Sequence, residues 1–154
     1  MLTQILARYR LIPLAGAKAG REPEKNSKKE ASMFLVSKCC AGVKCRYRHN
    51  GFLRNFLTQL GEEEDFIAVC PEVLGGLPTP REGCTVTAEG KVLGRRTGRD
   101  FSPQYHAGAE RTLAICKTNG ITRAYLLKDS PSCGVGYGLT AKLLAANGIE
   151  VIPV

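Results

Sequence analysis

Apolar residues along this chain fall in short runs separated by polar, glycine-rich stretches. Phe34-Leu35-Val36, Phe66-Ile67-Ala68-Val69, Arg123 to Leu127 and Ile149 to Val154 have the length and the branched or aromatic content of buried β-strands. Between them the period changes. Phe52, Leu53, Phe56, Leu57 and Leu60 recur at helical spacing. A second helix is predicted from Asp100 or Ser102 as cap and Pro103 as first residue. It runs through Ala107, Ala109, Leu113, Ala114 and Cys116 and stops at Gly120. A third spans Gly138 to Ala146 and ends at Asn147-Gly148. Thr85-Val86-Thr87 and Lys91-Val92-Leu93, joined by Ala88-Glu89-Gly90, read as a small hairpin. Strands alternating with helices mean βαβ units with right-handed crossovers. The expected fold class is α/β: a single Rossmann-like domain with an open, mostly parallel sheet flanked by helices and a small hairpin insertion.

The pattern is absent from the first 32 residues. The stretch from Gly20 to Ser32 is charged, poor in large apolar residues and broken by Pro23, a disordered-linker composition. Residues 1–21 carry Arg8, Arg10, Lys18 and Arg21 and no acid, so a presequence enters consideration, but Pro13 would break its helix. An upstream start or a natural extension is the plainer reading, with Met33 as a natural start. We therefore expect a disordered basic tail over 1–32 and one folded domain over 33–154. Half of the net charge of +8 belongs to that tail, and the chain has only five Tyr, five Phe and no Trp. Specific nucleic-acid recognition is accordingly not expected. No apolar stretch approaches the roughly 18 residues of a membrane span.

Seven cysteines without a convincing secretory signal argue for reduced thiols and a cytoplasmic location rather than a disulfide framework. Their placement carries more than their number. Cys39, Cys70 and Cys133 each lie just after a predicted strand or within a few residues of its end, and parallel α/β sheets bind ligands outside the carboxyl ends of their strands. Thiols converging there suit an iron–sulfur cluster better than structural zinc, which usually draws on close ligand pairs. Three ligands would leave one iron open to substrate; a fourth would close the centre into a carrier. The competing reading is simple burial as small hydrophobes. Cys84, in the hairpin, and Cys116, on a helix face, are assigned to burial. Cys40 and Cys45 share the Cys39 loop and are left as a fourth ligand, a sulfur-handling thiol or neither.

Other candidates surround these positions. Glu72, two residues beyond Cys70, has the chemistry of a general base, or of a solvated surface carboxylate. Ser130-Pro131-Ser132-Cys133-Gly134 sets two hydroxyls beside a cysteine, for substrate or simply for a turn. Arg46, Arg81 and Arg99 could bind an anion or polar substrate, and Gly75-Gly76 could bring backbone amides to a ligand. Glycines and prolines from Val73 to Arg81 predict a shaped backbone without regular structure. His49 and His106 lack a partner at metal-ligand spacing, and neither a dinucleotide fingerprint nor a Walker A sequence occurs.

Four segments together resemble the 2-thiouracil desulfurase family, long catalogued as a domain of unknown function. They are Leu35-Val36-Ser37-Lys38-Cys39 with Lys44-Cys45-Arg46-Tyr47; Cys70-Pro71-Glu72 through Leu77-Pro78-Thr79-Pro80-Arg81; Gly98-Arg99-Asp100; and Leu127-Lys128-Asp129 through Ser132-Cys133-Gly134. The resemblance covers Met33 to Val154. It implies a 4Fe-4S cluster held by Cys39, Cys70 and Cys133, with Glu72 and Ser130 as an acid/base pair. It further implies an iron free of protein ligands that takes sulfur from a thiolated pyrimidine or a similar small molecule. The chain departs from the family where Cys40-Ala41-Gly42 replaces Leu-Leu-Gly and where Arg48-His49-Asn50 replaces an aspartate. Its segment after Gly134 is also short. The expected function is an iron–sulfur-dependent desulfurase acting by cluster-assisted hydrolysis. The alternatives are a non-catalytic iron–sulfur or sulfide carrier and a zinc-bound structural domain.

Overall fold

The structure, a computed structural model, describes residues 33–52, 54–60 and 64–154. The expected tail over 1–32 lies outside them. Along the chain come strand β1 (Phe34–Ser37), helix α1 (Asn55–Gln59), β2 (Phe66–Val69) and α2 (Pro71–Leu74). The hairpin strands β3 (Cys84–Val86) and β4 (Val92–Gly94) follow, then α3 (Ser102–Thr118), β5 (Arg123–Leu126), α4 (Leu139–Ala146) and β6 (Glu150–Pro153).

The main sheet has the order β2-β1-β5-β6, and every pairing in it is parallel. β1 sits between two neighbours, and Phe34, Leu35 and Val36 are wholly buried, as a parallel strand covered on both faces requires. Each such side chain contributes on the order of 1.5–3 kcal/mol by leaving water. The ring of Phe34 stacks on Phe66 of β2 and meets Tyr125 of β5 edge-on. The register Ser37↔Val69 brings β1 and β2 to an end side by side. From β1 the chain steps to β2 on one side and later to β5 on the other, so the strand order reverses at β1. A crevice opens at such a switch point.

β3 and β4 form a separate antiparallel pair, with Thr85 opposite Leu93, one residue displaced from the expected bounds. Ser102 joins this hairpin to α3, because its hydroxyl accepts the Val92 N–H at 2.9 Å. The Asp100 carboxylate accepts the Ser102 N–H at 2.8 Å and satisfies one donor of the helix start. The buried face of α3 comprises Tyr105, Gly108, Ala109, Thr112 and Cys116. Counting apolar residues misses Thr112, whose hydroxyl is satisfied by the Gly108 carbonyl at 2.7 Å. Gly120, with φ +63°, ends the helix as expected.

Three local expectations are corrected. The helix predicted over Phe52–Leu60 reduces to Asn55–Gln59, because the Phe52 and Arg54 N–H groups bond instead to the carbonyls of Cys39 and Cys40, at 2.8 and 2.9 Å. The segment after Cys70 is not wholly irregular: Pro71 starts the one-turn helix α2, a position where its missing N–H costs nothing. Gly75 is not a ligand-facing residue either. A Cβ there would stand 2.0 Å from the Gln104 carbonyl oxygen, and one on Gly108 would stand 1.9 Å from that of Pro71. The two glycines therefore let α2 lie directly against α3.

Candidate functional site

The carboxyl ends of β1, β2 and β5 each deliver a cysteine. After Ser37 a single 3-10 turn, Lys38–Cys40, separates two adjacent thiols. Cys39 faces a cavity, and Cys40 is completely buried in the core and does not line that cavity. Cys70 follows Val69 directly and begins the turn of α2. The third comes from the loop after β5. The Leu127 N–H donates to the Ser37 hydroxyl at 2.9 Å, tying that loop to the end of β1. The backbone then turns through Ser130–Cys133, with the Ser130 hydroxyl accepting the N–H groups of Ser132 and Cys133 at 3.3 and 3.2 Å.

These loops enclose a cavity of about 270 Å³, room for on the order of nine water molecules. Cys39, Cys70, Cys133, Glu72 and Ser130 all line it. Cys45 and Cys84 line it too; Cys84 is buried, as expected, in a small core with Leu77, Val92 and Tyr105, and that core borders the cavity. Cys116 is in the core, as expected, and burial pushes its thiol up to about 11. Of the three candidate arginines, Arg46 and Arg81 reach the cavity. Arg99 belongs to a neighbouring cleft with Arg96, and His49 and His106 are exposed. Tyr105 of α3 and Arg95 beyond β4 also contribute walls, and no local motif had marked them.

The buried polar groups form one network. Arg81 Nε donates to Glu72 Oε2 at 2.5 Å, with both side chains under a tenth exposed. Its Nη1 donates to the carbonyls of Cys45 at 3.0 Å and Pro78 at 3.1 Å, and its Nη2 lies 3.8 Å from the Cys70 sulfur. Burial opposes the guanidinium charge, but Glu72 and Cys70 outweigh it and hold Arg81 above its ordinary value. On the other side of Glu72, the Ser132 hydroxyl donates to Oε1 at 3.1 Å and lies 3.0 Å from the Ser130 oxygen. Sequence reasoning gave Ser132 no separate role; only folding places it beside Glu72, sixty residues away.

The thiols differ in kind. Hydrogen bonds from Cys40 and Cys45 pull Cys39 well below the usual thiol range despite its burial. A hydrogen bond from Cys45 lowers Cys70. Cys45, giving to both, is raised. Burial pushes Cys133 up to about 12. Among the described residues no three His, Cys, Asp or Glu side chains close on a point as ligands of one metal ion do. The sulfur donors instead surround a space, as ligands of a polynuclear cluster do, each thiolate serving a different iron. An all-sulfur donor set of this kind fits an iron–sulfur cluster.

The 2-thiouracil desulfurase family model matches residues 34–153, which include the whole of this cavity wall. The chain belongs to the 2-thiouracil desulfurase family. Its relatives include a Bacillus subtilis (strain 168) protein described as uncharacterized protein YbbK. The two are 34% identical over 142 residues, covering 78% of this chain and 94% of that protein. A solved structure, the [4Fe-4S]-dependent thiouracil desulfidase TudS, superposes with a TM-score of 0.73 at 36% identity, covering 79% of this chain and 90% of that one. The likeness bears out the α/β class and the mostly parallel sheet with its hairpin. Members of the 2-thiouracil desulfurase family are enzymes, and desulfuration is the chemistry this cavity must be read against.

Proposed function

We propose that this chain holds a 4Fe-4S cluster through Cys39, Cys70 and Cys133 and hydrolyses the thiocarbonyl of a thiolated pyrimidine or a similar small thioamide. The observation that carries the reading is the single cavity at the ends of β1, β2 and β5, where those three thiols meet Glu72 and Ser130. The structural neighbour, itself a [4Fe-4S]-dependent thiouracil desulfidase, supports the choice of cofactor and substrate class. Seven free cysteines support a reducing, cytoplasmic setting.

When bound, the cluster supplies a Lewis-acidic iron for the thiocarbonyl sulfur. The remaining work falls to the protein. Glu72, fixed by Arg81 on one oxygen and Ser132 on the other, takes a proton from water as that water attacks the carbon. Ser130 provides a hydroxyl at the substrate's edge for the return of a proton. The reaction exchanges C=S and water for C=O and hydrogen sulfide, with no change of oxidation state. Burial of Glu72, Ser130 and Ser132 limits side reactions with bulk water.

Iron and acid-labile sulfide analysis of anaerobically reconstituted protein tests the cofactor, and turnover of 4-thiouracil and 2-thiouracil tests the activity. Cys39→Ala, Cys70→Ala and Cys133→Ala should each lose iron, whereas Glu72→Gln should keep it and lose about 10²- to 10⁴-fold in rate. Full clusters in all three cysteine variants would sink the ligand assignment. A second reading, a sulfide or cluster carrier, is favoured by one observation: Cys45 faces the cavity as a fourth thiol. Stoichiometric sulfur uptake without catalytic release would select it.

A further inference from the structure

Glu72 and Ser130 are connected through a third residue. Ser130 Oγ accepts two backbone N–H bonds, from Ser132 and Cys133. A hydroxyl has two acceptor positions and one proton, so with both positions filled the Ser130 proton is directed elsewhere. The Ser132 oxygen stands 3.0 Å away. Ser132 in turn donates to Glu72 Oε1 at 3.1 Å, the nearer of its two other acceptors; the second is the Cys133 sulfur at 3.7 Å. All three side chains are less than a tenth exposed, and Ser132 is the most deeply buried, at 2%. The result is an ordered row of two hydroxyls ending on a carboxylate, with Arg81 holding the far oxygen of that carboxylate.

We propose that Ser132 is the positioning residue that joins Glu72 and Ser130 into one proton path. The inference rests on the desulfurase reading above. In hydrolysis of a thiocarbonyl, water forms the new C–O bond, the C–S bond breaks, and both protons of the water leave on sulfur as hydrogen sulfide. Glu72 receives the first as water attacks and the second from the new hydroxyl on carbon as the C–S bond breaks. Each time the row reverses its polarity: Glu72, now protonated, donates to Ser132, Ser132 passes its own proton to Ser130, and Ser130 gives up its proton to the departing sulfur. Each group ends as it began, and no electron is transferred. Without the Ser132 hydroxyl, the base and the donor are separated, and the proton must travel by way of solvent.

The full chain, reconstituted anaerobically, is assayed with 4-thiouracil as Ser132→Ala, Ser132→Thr, Ser130→Ala and the double alanine variant. Ser132→Ala should keep the iron and sulfide content, visible spectrum and KM of the wild type. It should lose roughly 10²-fold in kcat, with a larger solvent deuterium isotope effect, and Ser132→Thr should recover most of the rate. The double variant should be no slower than Ser130→Ala alone, since two members of one path are lost only once. Unchanged kcat in Ser132→Ala, losses that multiply in the double variant, or loss of iron from Ser132→Ala would overturn the proposal. If the wild type loads its cluster but does not turn over, the desulfurase reading falls and the proton path with it. Wild-type turnover matched by Ser132→Ala removes the path alone.

Discussion

Arg81 is the residue on which most of the cavity's polar contacts depend. One guanidinium serves the Glu72 carboxylate, two carbonyls, the Thr79 hydroxyl at 3.2 Å and the Cys70 sulfur. Removing one partner of such a buried pair leaves an uncompensated charge and costs about 3–5 kcal/mol. Arg81→Met should therefore lower the urea midpoint markedly. Arg81→Lys should rescue little of it, since an ammonium lacks the planar fork. A second expectation concerns the thiols of cluster-free protein. The thiolate is the nucleophile, so a thiol held below its usual value of about 8.5 stays reactive as pH falls, while one held above it does not. At about pH 6.5, below that ordinary value, iodoacetamide followed by mass spectrometry should find Cys39 and Cys70 modified first, because both are lowered and line the cavity. Cys116 and Cys133, pushed up to about 11 and about 12, should remain free until alkaline pH. Equal labelling of all four would contradict that ordering.

Among the described elements, α2 is the shortest α-helix and the one that carries Glu72 to the cavity in its first turn. It is held against α3 by the absence of side chains at Gly75 and Gly108. Gly108→Ala would drive a methyl group into the Pro71 carbonyl, with no flexible side chain available to yield. The expected cost is about 1–3 kcal/mol of overpacking, together with a fall in turnover as Pro71-Glu72 shifts. Denaturation and rate measurements on that variant check both, and a loss of stability alone would separate the helix contact from the site. These elements also show what could be read in advance. β1 and β2 were legible because a strand covered on both faces reads as a near-continuous apolar run. β5 was legible from its alternation, with Ala124 and Leu126 buried and Arg123 and Tyr125 half-buried. α2 was not, because glycines and prolines around it signal turns, and only the opposing helix makes one turn worth forming. Cys39, Cys70 and Cys133 were legible from their places at strand ends. Cys84, Tyr105, Arg95 and the role of Ser132 were not, since they reach the cavity only through contacts between distant segments.

For the molecule as a whole, the family match over residues 34–153 predicts that the chain from Met33 onward carries everything the site requires. Protein of residues 33–154 should melt with the same midpoint as the full chain and take up the same iron; a large loss of either would assign the first 32 residues a part in the fold. No helix among the described residues is long and apolar enough to cross a membrane. The family relative contains residues within the matched span that this chain lacks, since 142 aligned residues take in only 78% of 154. The order of the cavity-lining segments has a last consequence, for synthesis. β1 and β2 can pair as soon as both have left the ribosome, which sets Cys39 beside Cys70. The Ser130–Cys133 turn emerges only near the end of translation, and the edge strand β6 comes after it. Domains fold as units as the chain grows from its N-terminus. A chain released early therefore holds Cys39, Cys45 and Cys70 but lacks Cys133, Ser130 and Ser132. Truncated products lack one wall of the pocket, and on the proposed ligand set they should retain no iron.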